Sequence, residues 1–568
     1  MNKFKQTITS PLFLYFYAVL SLAVPNVVLA FGQHAPLLAL AAGVIAPVGA
    51  YALLMAMSAK MGRNVWALFL LVFFAAFQLV LVYLYGGGAI AVDMFLNLVT
   101  TNPGEAMELL DNLVPAVAGV FILYLPLLAI AAWQWRRGCA VAPHTLGRLR
   151  RAAAWVLGAG VALMVLCCAA YGRADAARGR KAYSVTDDVY PVNVFYNLCL
   201  AVRESRLSAT YEQRVAHFSF GARPTHAKDS TEVYVLVIGE TSRPQNWQLY
   251  GYRRPTNPLL AHEPGLMVFR NVRSQSNTTH KSVPMLLTAA SAEHHDRLYR
   301  EKGLIAAFRE AGFHTVFFSN QLRNHSYIDF LGLEAHEAVF IRDADGASAS
   351  PSPADAAAAT SDERLLPYVQ RTLAEGHKKL LIVLHTYGSH FNYRDRYPRS
   401  AARFLPDTPT DAKPQNRPSL VNAYDNTILA TDRLLANVIA MLRSSRCAAA
   451  MLYTSDHGEN IFDDSRRLFL HASPRPSQYD TAVPLIVWAS PQYAAQHPAT
   501  VSALRSNMGK GVQSSASVFP TMLSLGGVSA KASPYGLSLA NPAYRLGTRH
   551  YLDDHNRAVP LSMYGIAD

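Results

Sequence analysis

The sequence predicts a helical membrane region of five spans followed by one large α/β domain with a mostly parallel sheet. Two patterns carry this prediction. The first third holds five long apolar segments, and the region after residue 231 alternates short apolar runs with helical periodicity. At 568 residues, 51% hydrophobic and 16% charged, the chain is long enough for both parts. The formal charge of +13 comes without any run of five Lys or Arg. Many basic residues flank apolar segments instead, which argues against a nucleic-acid partner.

The apolar segments cover residues 11–31, 36–59, 65–86, 114–135 and 152–171. Each reaches the ~20 residues needed to cross a bilayer as a helix. The first reads as an uncleaved anchor, because a second span follows almost at once and no small-residue cleavage site intervenes. Lys and Arg next to a span resist translocation. Lys3 and Lys5, Lys60 and Arg63, and Arg136, Arg137, Arg148, Arg150 and Arg151 therefore mark three cytoplasmic segments. The loop at 87–113 carries Asp93, Glu105, Glu108 and Asp111 and no Lys or Arg, so it is predicted outside, with everything after residue 172. No Asp, Glu, Lys or Arg falls within the five segments, which weighs against a transporter. Cys139 is cytoplasmic in this topology, and Cys167 and Cys168 lie within the fifth span. Only Cys199 and Cys447 are exported, so at most one intrachain disulfide is available there.

Residues 1–172 thus form the membrane domain, 173–230 a linker, and 231–568 the exported domain. Within the linker, Val192, Phe195, Cys199 and Val202 recur at helical spacing over 190–216. Such a helix either lies along the membrane surface or packs on the soluble domain. In the exported domain the runs "VYVLVIG" (233–239), "HTVFFS" (314–319), "LLIVLHT" (380–386), "AAAMLYTS" (448–455) and "PLIVWAS" (484–490) read as strands buried on both faces. Residues 346–361, "GASASPSPADAAAATS", are low in complexity and read as a surface excursion.

Ligands of open α/β sheets gather beyond the carboxyl ends of the strands. There the sequence places Glu240 in "VIGETS", His385 and His390 in "LHTYGSH", Asp456 and His457 in "TSDHGEN", and His471 in "LFLHAS". Singly each is more often a cap or a hydrogen-bonded structural residue. Together, carboxylate and imidazole without cysteine fit a catalytic zinc or manganese site. A threonine hydroxyl becomes a nucleophile only when something activates it, and "NTTHKSVP" (277–284) offers Thr278 and Thr279. The plainer reading is a loop whose Ser and Thr cap a helix starting near Val283, with Pro284 in its first turn.

These residues resemble the inner-membrane phosphoethanolamine transferases of Gram-negative bacteria, within the alkaline phosphatase and sulfatase superfamily. The resemblance rests on "VDMFLNLVTTNPGEAMELL" (92–110), "VLVIGETSRPQNWQLYGYRRPTNP" (235–258), "SVP" (282–284), "LHTYGSH", "NAYDNTI" (422–428), "SDHGEN" (455–460) and "LH" (470–471), in order along nearly the whole chain. It implies a sulfatase-like catalytic domain in the periplasm and a transfer of phosphoethanolamine. The donor would be phosphatidylethanolamine, and the acceptor a lipid A or lipopolysaccharide group. It implies Thr279 as nucleophile, five residues before the proline, and Glu240, Thr279, Asp456 and His457 as the main zinc site. It assigns His390 and His471 to a second zinc or to the phosphate, and His385 to the substrate. Lys281 is a further candidate for steadying the phosphate, and otherwise a solvated side chain. The sequence departs from lipid A-modifying members at Gln275 and Met285, where they carry cysteines, which leaves a core heptose or a periplasmic glucan open as acceptor. A glycerolphosphate transferase and a non-catalytic binding module are the alternatives. A sulfatase would need a C/S-x-P-x-R nucleophile motif, which is absent.

Overall fold

The computed structural model describes residues 10–32, 36–85, 88–100, 103–173, 182–227, 229–344 and 360–567. Lys3, Lys5 and residues 346–359 of the predicted excursion lie outside them. The chain divides into two compact units, one of residues 1–96 and 109–202, the other of 97–108 and 203–568.

Over residues 11–171, helices α1 (Pro11–Gly32), α2 (Leu37–Met55), α3 (Met61–Ala67), α4 (Phe69–Tyr85), α5 (Val92–Thr100), α6 (Pro103–Arg136) and α7 (Pro143–Tyr171) follow the apolar segments. Pro11–Phe31, Leu37–Met55, Leu113–Arg136 and Pro143–Tyr171 are each long and apolar enough to span. The predicted third span is instead the pair α3 and α4, bent by 63° at Leu68. No proline or glycine lies at the break; α3 is held by Asn64, whose amide donates to the carbonyls of Met55 and Ser58. The expected loop at 87–113 is largely helical, as α5 and the first turns of α6. Small residues bring α2 and α7 together. A Cβ at Gly49 would strike the backbone of Leu157, and one at Gly160 the backbone of Ala46. Arg150 donates to the carbonyls of Ala56 and Met57, both at 2.8 Å, closing the C-terminal end of α2.

The linker helix forms as α8 (Val192–Ala209), but its predicted apolar stripe is not its buried face. Val192, Phe195 and Val202 are 43%, 37% and 45% exposed, and Cys199 is exposed too. The buried side carries Asn193, Val194, Asn197 and Ala201, and Val194 and Ala201 pack with Leu29, Phe74 and Ile90 of the spanning bundle. On that side the Asn197 amide reaches the Ile90 carbonyl at 2.8 Å, and from α1 the Asn26 amide reaches that of Tyr190 at 2.8 Å.

In the second unit a seven-stranded sheet is built from β1 (Glu232–Gly239), β2 (Leu266–Phe269), β3 (His314–Ser319), β4 (Glu337–Phe340), β5 (Lys379–His385), β6 (Ala448–Ser455) and β7 (Leu485–Ala489). Their order across the sheet is β2-β7-β6-β1-β5-β3-β4. All five predicted runs are strands, and all neighbours from β6 to β4 are parallel. Only β7 runs antiparallel, to both β6 and β2. The short strands β2 and β4 sit at the edges, where fewer apolar residues are needed and the sequence signal is weak. Every residue of β1 and β6 is buried, which is why both read as unbroken apolar runs. Tyr234, Leu236 and Ile238 of β1 pack into a core with α9 (Thr279–Leu287), α10 (Leu304–Glu310) and α12 (Ser514–Leu525). The long helix α11 (Arg417–Ser444) packs along β6.

Candidate functional site

The carboxyl ends of β1, β5 and β6, side by side at the sheet's centre, deliver the chemistry. Glu240 follows β1, and Asp456 and His457 follow β6. Thr279 opens α9, so its hydroxyl lies at the positive end of a helix of nine residues. Its Oγ is 3.2 and 3.3 Å from the two Glu240 oxygens and 3.2 Å from His457 Nε2. His457 Nε2 is in turn 3.2 Å from Asp456 Oδ2 and 3.4 Å from Glu240 Oε1. Its Nδ1 faces the Gly458 carbonyl at 2.9 Å, which fixes the tautomer that leaves Nε2 a lone pair toward the cluster.

The geometry separates the two threonines. Thr278 turns its hydroxyl to Ser276, 3.1 Å away, while Thr279 meets the cluster. The capping alternative does not hold as drawn: the helix begins at Thr279 rather than near Val283, Thr278 makes no side-chain cap bond, and Pro284 is internal. Pro284 is the sixth residue of this helix and forgoes the bond its N–H would make to the His280 carbonyl.

Two carboxylates converging on one point away from water repel each other. Burial, then the charge of Asp456, pushes the Glu240 carboxyl above the usual range. Burial works against a charged His457, yet the Asp456 and Glu240 carboxylates outweigh it and raise that imidazole. A cation at the centre would relieve both, and two carboxylates, one imidazole and one hydroxyl fit the donor set of zinc. The backbone is strained to build this. Thr241 adopts φ +60°, unusual for a β-branched residue, and is held there by its N–H to Asp456 Oδ1 at 3.0 Å and its hydroxyl to Glu240 Oε1 at 2.7 Å.

His471 joins the edge of the cluster. It follows a two-stranded turn in which Phe469–Leu470 pair with Asn460–Ile461, and its ring centroid is 4.1 Å from that of His457 and 6.1 Å from that of His390. Glu240, His457 and His471 can bring three ligand atoms within 4.8 Å of one another. Burial and the neighbouring His457, His390 and His280 hold His471 far below the usual range, hence neutral and able to ligate.

Two further predicted site residues have partners of their own. His385 ends β5, its Nδ1 3.2 Å from the Ser319 hydroxyl, and burial lowers it to about 4. Lys281, expected to be solvated, is buried, and its ammonium donates to the Asp553 carbonyl at 3.2 Å. As the third residue of α9 it faces the domain interior rather than the loop surface that its charge suggests.

Other residues at the site escaped the sequence reading. Gln321, just after β3, donates Nε2 to Glu240 Oε2 at 3.1 Å and to the Thr386 carbonyl at 2.9 Å. Glu459 is fully buried, with Oε2 accepting from Tyr393 and Oε1 3.4 Å from His471 Nδ1. Its place in "SDHGEN" was the available signal. Arg243 is buried and tied to Asp463, to Asn246 at 2.7 Å and to the Glu459 carbonyl at 2.8 Å. All five cysteines are free. At the positions expected to differ, Met285 is core and Gln275 binds Glu293 at 3.0 Å and the Ala292 N–H at 3.2 Å, so hydrogen bonds brace the loop.

A mostly parallel sheet with acidic and imidazole groups beyond its central strands, facing a hydroxyl at a helix start, defines a sulfatase-type domain. Residues 232–528 match the Sulfatase family, and residues 46–205 match the family described as Phosphoethanolamine transferase EptA/EptB. The chain belongs to the sulfatase family, with an N-terminal region of the EptA/EptB type. It is 32% identical over 275 residues to the Kdo(2)-lipid A phosphoethanolamine 7''-transferase of Salmonella typhimurium, covering 47% of this chain and 46% of that one. The chain spans about half the length of the curated relatives it matches at this level of identity. In structure it resembles the integral membrane protein lipooligosaccharide phosphoethanolamine transferase A of Neisseria meningitidis, with a TM-score of 0.73 at 21% identity over 94% of this chain and 98% of that one. It also resembles the periplasmic domain of Escherichia coli EptC, a structure in complex with zinc. That TM-score is 0.53 at 24% identity, over 61% of this chain and 95% of that one.

Proposed function

We propose that the protein is an inner-membrane phosphoethanolamine transferase that moves the group from phosphatidylethanolamine to lipid A or a lipopolysaccharide core sugar through Thr279. Residues 231–568 form the periplasmic catalytic domain in this reading, and the outward stripe of α8 lies at the membrane surface. The observation that carries it is Thr279 Oγ within 3.3 Å of both Glu240 and His457 at the start of a helix.

Glu240, Thr279, Asp456 and His457 would hold zinc, or manganese. A metal there would neutralise charge on a phosphoryl oxygen and lower the pKa of the Thr279 hydroxyl. Thr279 Oγ attacks phosphorus, the bond from phosphorus to the glycerol oxygen breaks, and diacylglycerol leaves with a proton. An acceptor hydroxyl or phosphate then attacks the same phosphorus, and the bond to Oγ breaks. Phosphoryl transfer asks mainly for positioning and charge neutralisation, which a preformed cluster supplies. His390 and His471 are assigned to the phosphate oxygens or a second ion. His385, whose Nδ1 is engaged by Ser319, and Lys281, whose ammonium is engaged by the Asp553 carbonyl, are further candidates for holding the substrate.

Intact-protein mass spectrometry after incubation with phosphatidylethanolamine tests this. A phosphoethanolamine adduct on Thr279, absent from Thr279→Val, is expected. A glycerolphosphate adduct, an adduct on another residue, or full transfer by Thr279→Val would overturn it.

A further inference from the structure

The amino-terminal edge of the sheet, opposite the end that carries Glu240 and Asp456, holds a second group of ligand-type side chains. His377 lies two residues before β5, His314 opens β3, and His336 immediately precedes β4. These strands are parallel neighbours in the order β5-β3-β4. Neighbouring strands lie about 4.8 Å apart, so the three rings form a column. Ring centroids are 3.8 Å apart from His377 to His314 and 5.0 Å from His314 to His336, with planes within 8° and 16° of parallel. Glu375 joins the column from the turn that follows the helix Leu366–Ala374, its Oε2 3.0 Å from His377 Nε2.

The members of the column differ in what they have left to give. His336 Nδ1 accepts from the Thr315 N–H at 3.2 Å and lies 3.0 Å from its hydroxyl, so this ring is fixed and backs His314. Neither ring nitrogen of His314 is hydrogen-bonded by a described residue. Arg371 competes only weakly for Glu375: its Nε is 3.8 Å from Oε1, while its Nη2 is engaged by Glu337. One ligand atom from each of His314, Glu375 and His377 lies within 4.8 Å of the other two. A tetrahedral zinc ion with bonds of about 2.0–2.1 Å holds its ligands roughly 3.3 Å apart, so closing on an ion takes shifts on the order of 1 Å. The side chains of His377 and Glu375, 33% and 40% exposed, are free to make them, and the same exposure lets an ion in. Burial, then the neighbouring His377 and His336, lowers the His314 imidazole and favours its neutral, ligating form.

We propose that His314, Glu375 and His377 form a peripheral zinc(II) site, with water in the fourth position, that fastens the turn before β5 to the start of β3. Two imidazoles and a carboxylate without sulfur suit a borderline divalent cation. The inference concerns this edge of the sheet alone and does not rest on the transfer reaction or on the metal of the catalytic cluster.

The test uses the full chain in detergent, stripped of metal with a chelator and then equilibrated with zinc chloride at low micromolar free zinc. Bound zinc is counted by elemental mass spectrometry, and backbone hydrogen exchange is followed over residues 375–378. Wild type should bind one zinc per chain more than His314→Ala or His377→Ala. Zinc should slow exchange in the turn about tenfold in wild type, equally in Asp456→Asn, and in neither histidine variant. Equal zinc counts in all three chains, or exchange in the turn that zinc leaves unchanged in wild type, would overturn the proposal. Loss of the protection in Asp456→Asn would trace it to the catalytic cluster and overturn it as well. If His314→Ala misfolds, His377→Ala, in the exposed turn, decides. Neither readout needs turnover, so a failed transfer assay would leave this result standing, and the reverse.

Discussion

Gly388 lies in a turn with no ligand of its own, yet replacing it with alanine should disturb the site. Its φ is +52°, and an added Cβ would lie 2.6 Å from the Glu240 carbonyl oxygen, 2.9 Å from its nitrogen and 3.0 Å from its Cβ. These atoms belong to the backbone at the end of β1 and cannot swing aside. The turn is equally fixed, since the Tyr387 and Gly388 N–H groups donate to Asp362 at 2.7 and 2.8 Å and Ser389 N–H donates to the Glu240 carbonyl at 3.0 Å. The left-handed conformation costs alanine about 1–2 kcal/mol, and forcing extra volume into a packed site adds about 1–3 kcal/mol. If the chain absorbs the strain by moving Glu240 instead, a displacement of about 1 Å from Thr279 lowers the rate on the order of 10²-fold. Thermal unfolding and transfer to a lipid A acceptor, measured on the same detergent-solubilised protein, should therefore show a lower Tm, a lower rate, or both. Gly251→Ala is the control: φ is +97° with nothing within 4 Å, so it should lose stability and keep its rate. Wild-type Tm and wild-type rate together in Gly388→Ala would refute the reasoning.

Two further substitutions probe the supports of the cluster, and a third the opposite end of β1. Gln321→Leu removes one of the donors to Glu240 and should weaken zinc binding by about 10–100-fold in chelator competition, as loss of a ligand-orienting partner does elsewhere; unchanged affinity would show that Glu240 is held without it. Arg243→Met leaves buried Asp463 short of its main partner and should cost about 3 kcal/mol or more, read as a fall in Tm. Burial works against charge on Glu232, but bonds from His226, Ser230 and Lys379 outweigh it and hold its carboxyl at about 2 against an ordinary 4.5. The stabilisation is complete above the ordinary value and lost as pH falls toward 2, at most about 3 kcal/mol for this buried group. Glu232→Gln should unfold with a shallower pH dependence over that window, and an unchanged acid-denaturation curve would exclude the contribution.

Much of the site was legible because its residues follow strands that announce themselves. Glu240, Asp456 and His457 each come directly after an apolar run, and strand ends in such sheets converge by construction. Gln321 follows an apolar run too, but a lone glutamine carries no chemistry that marks it. His385 is the harder case: a histidine at a strand end whose Nδ1 lies against Ser319 while its buried Nε2 has no partner among the described residues. Lys281 was misread because position on α9, not charge, determines whether a side chain meets water.

The sequence by itself determined the spans, the central strands and the set of candidate ligands, because long apolar runs and short motifs are local properties of the chain. Only the tertiary structure decided that β7 runs antiparallel, that the third span breaks at Leu68, that α8 buries Asn193 and Asn197 while its apolar stripe faces out, and that Gln321 meets Glu240. Each of these depends on which distant surface a segment packs against. Periodicity marks two faces of a helix but does not say which neighbour, lipid, bundle or water, will claim each one.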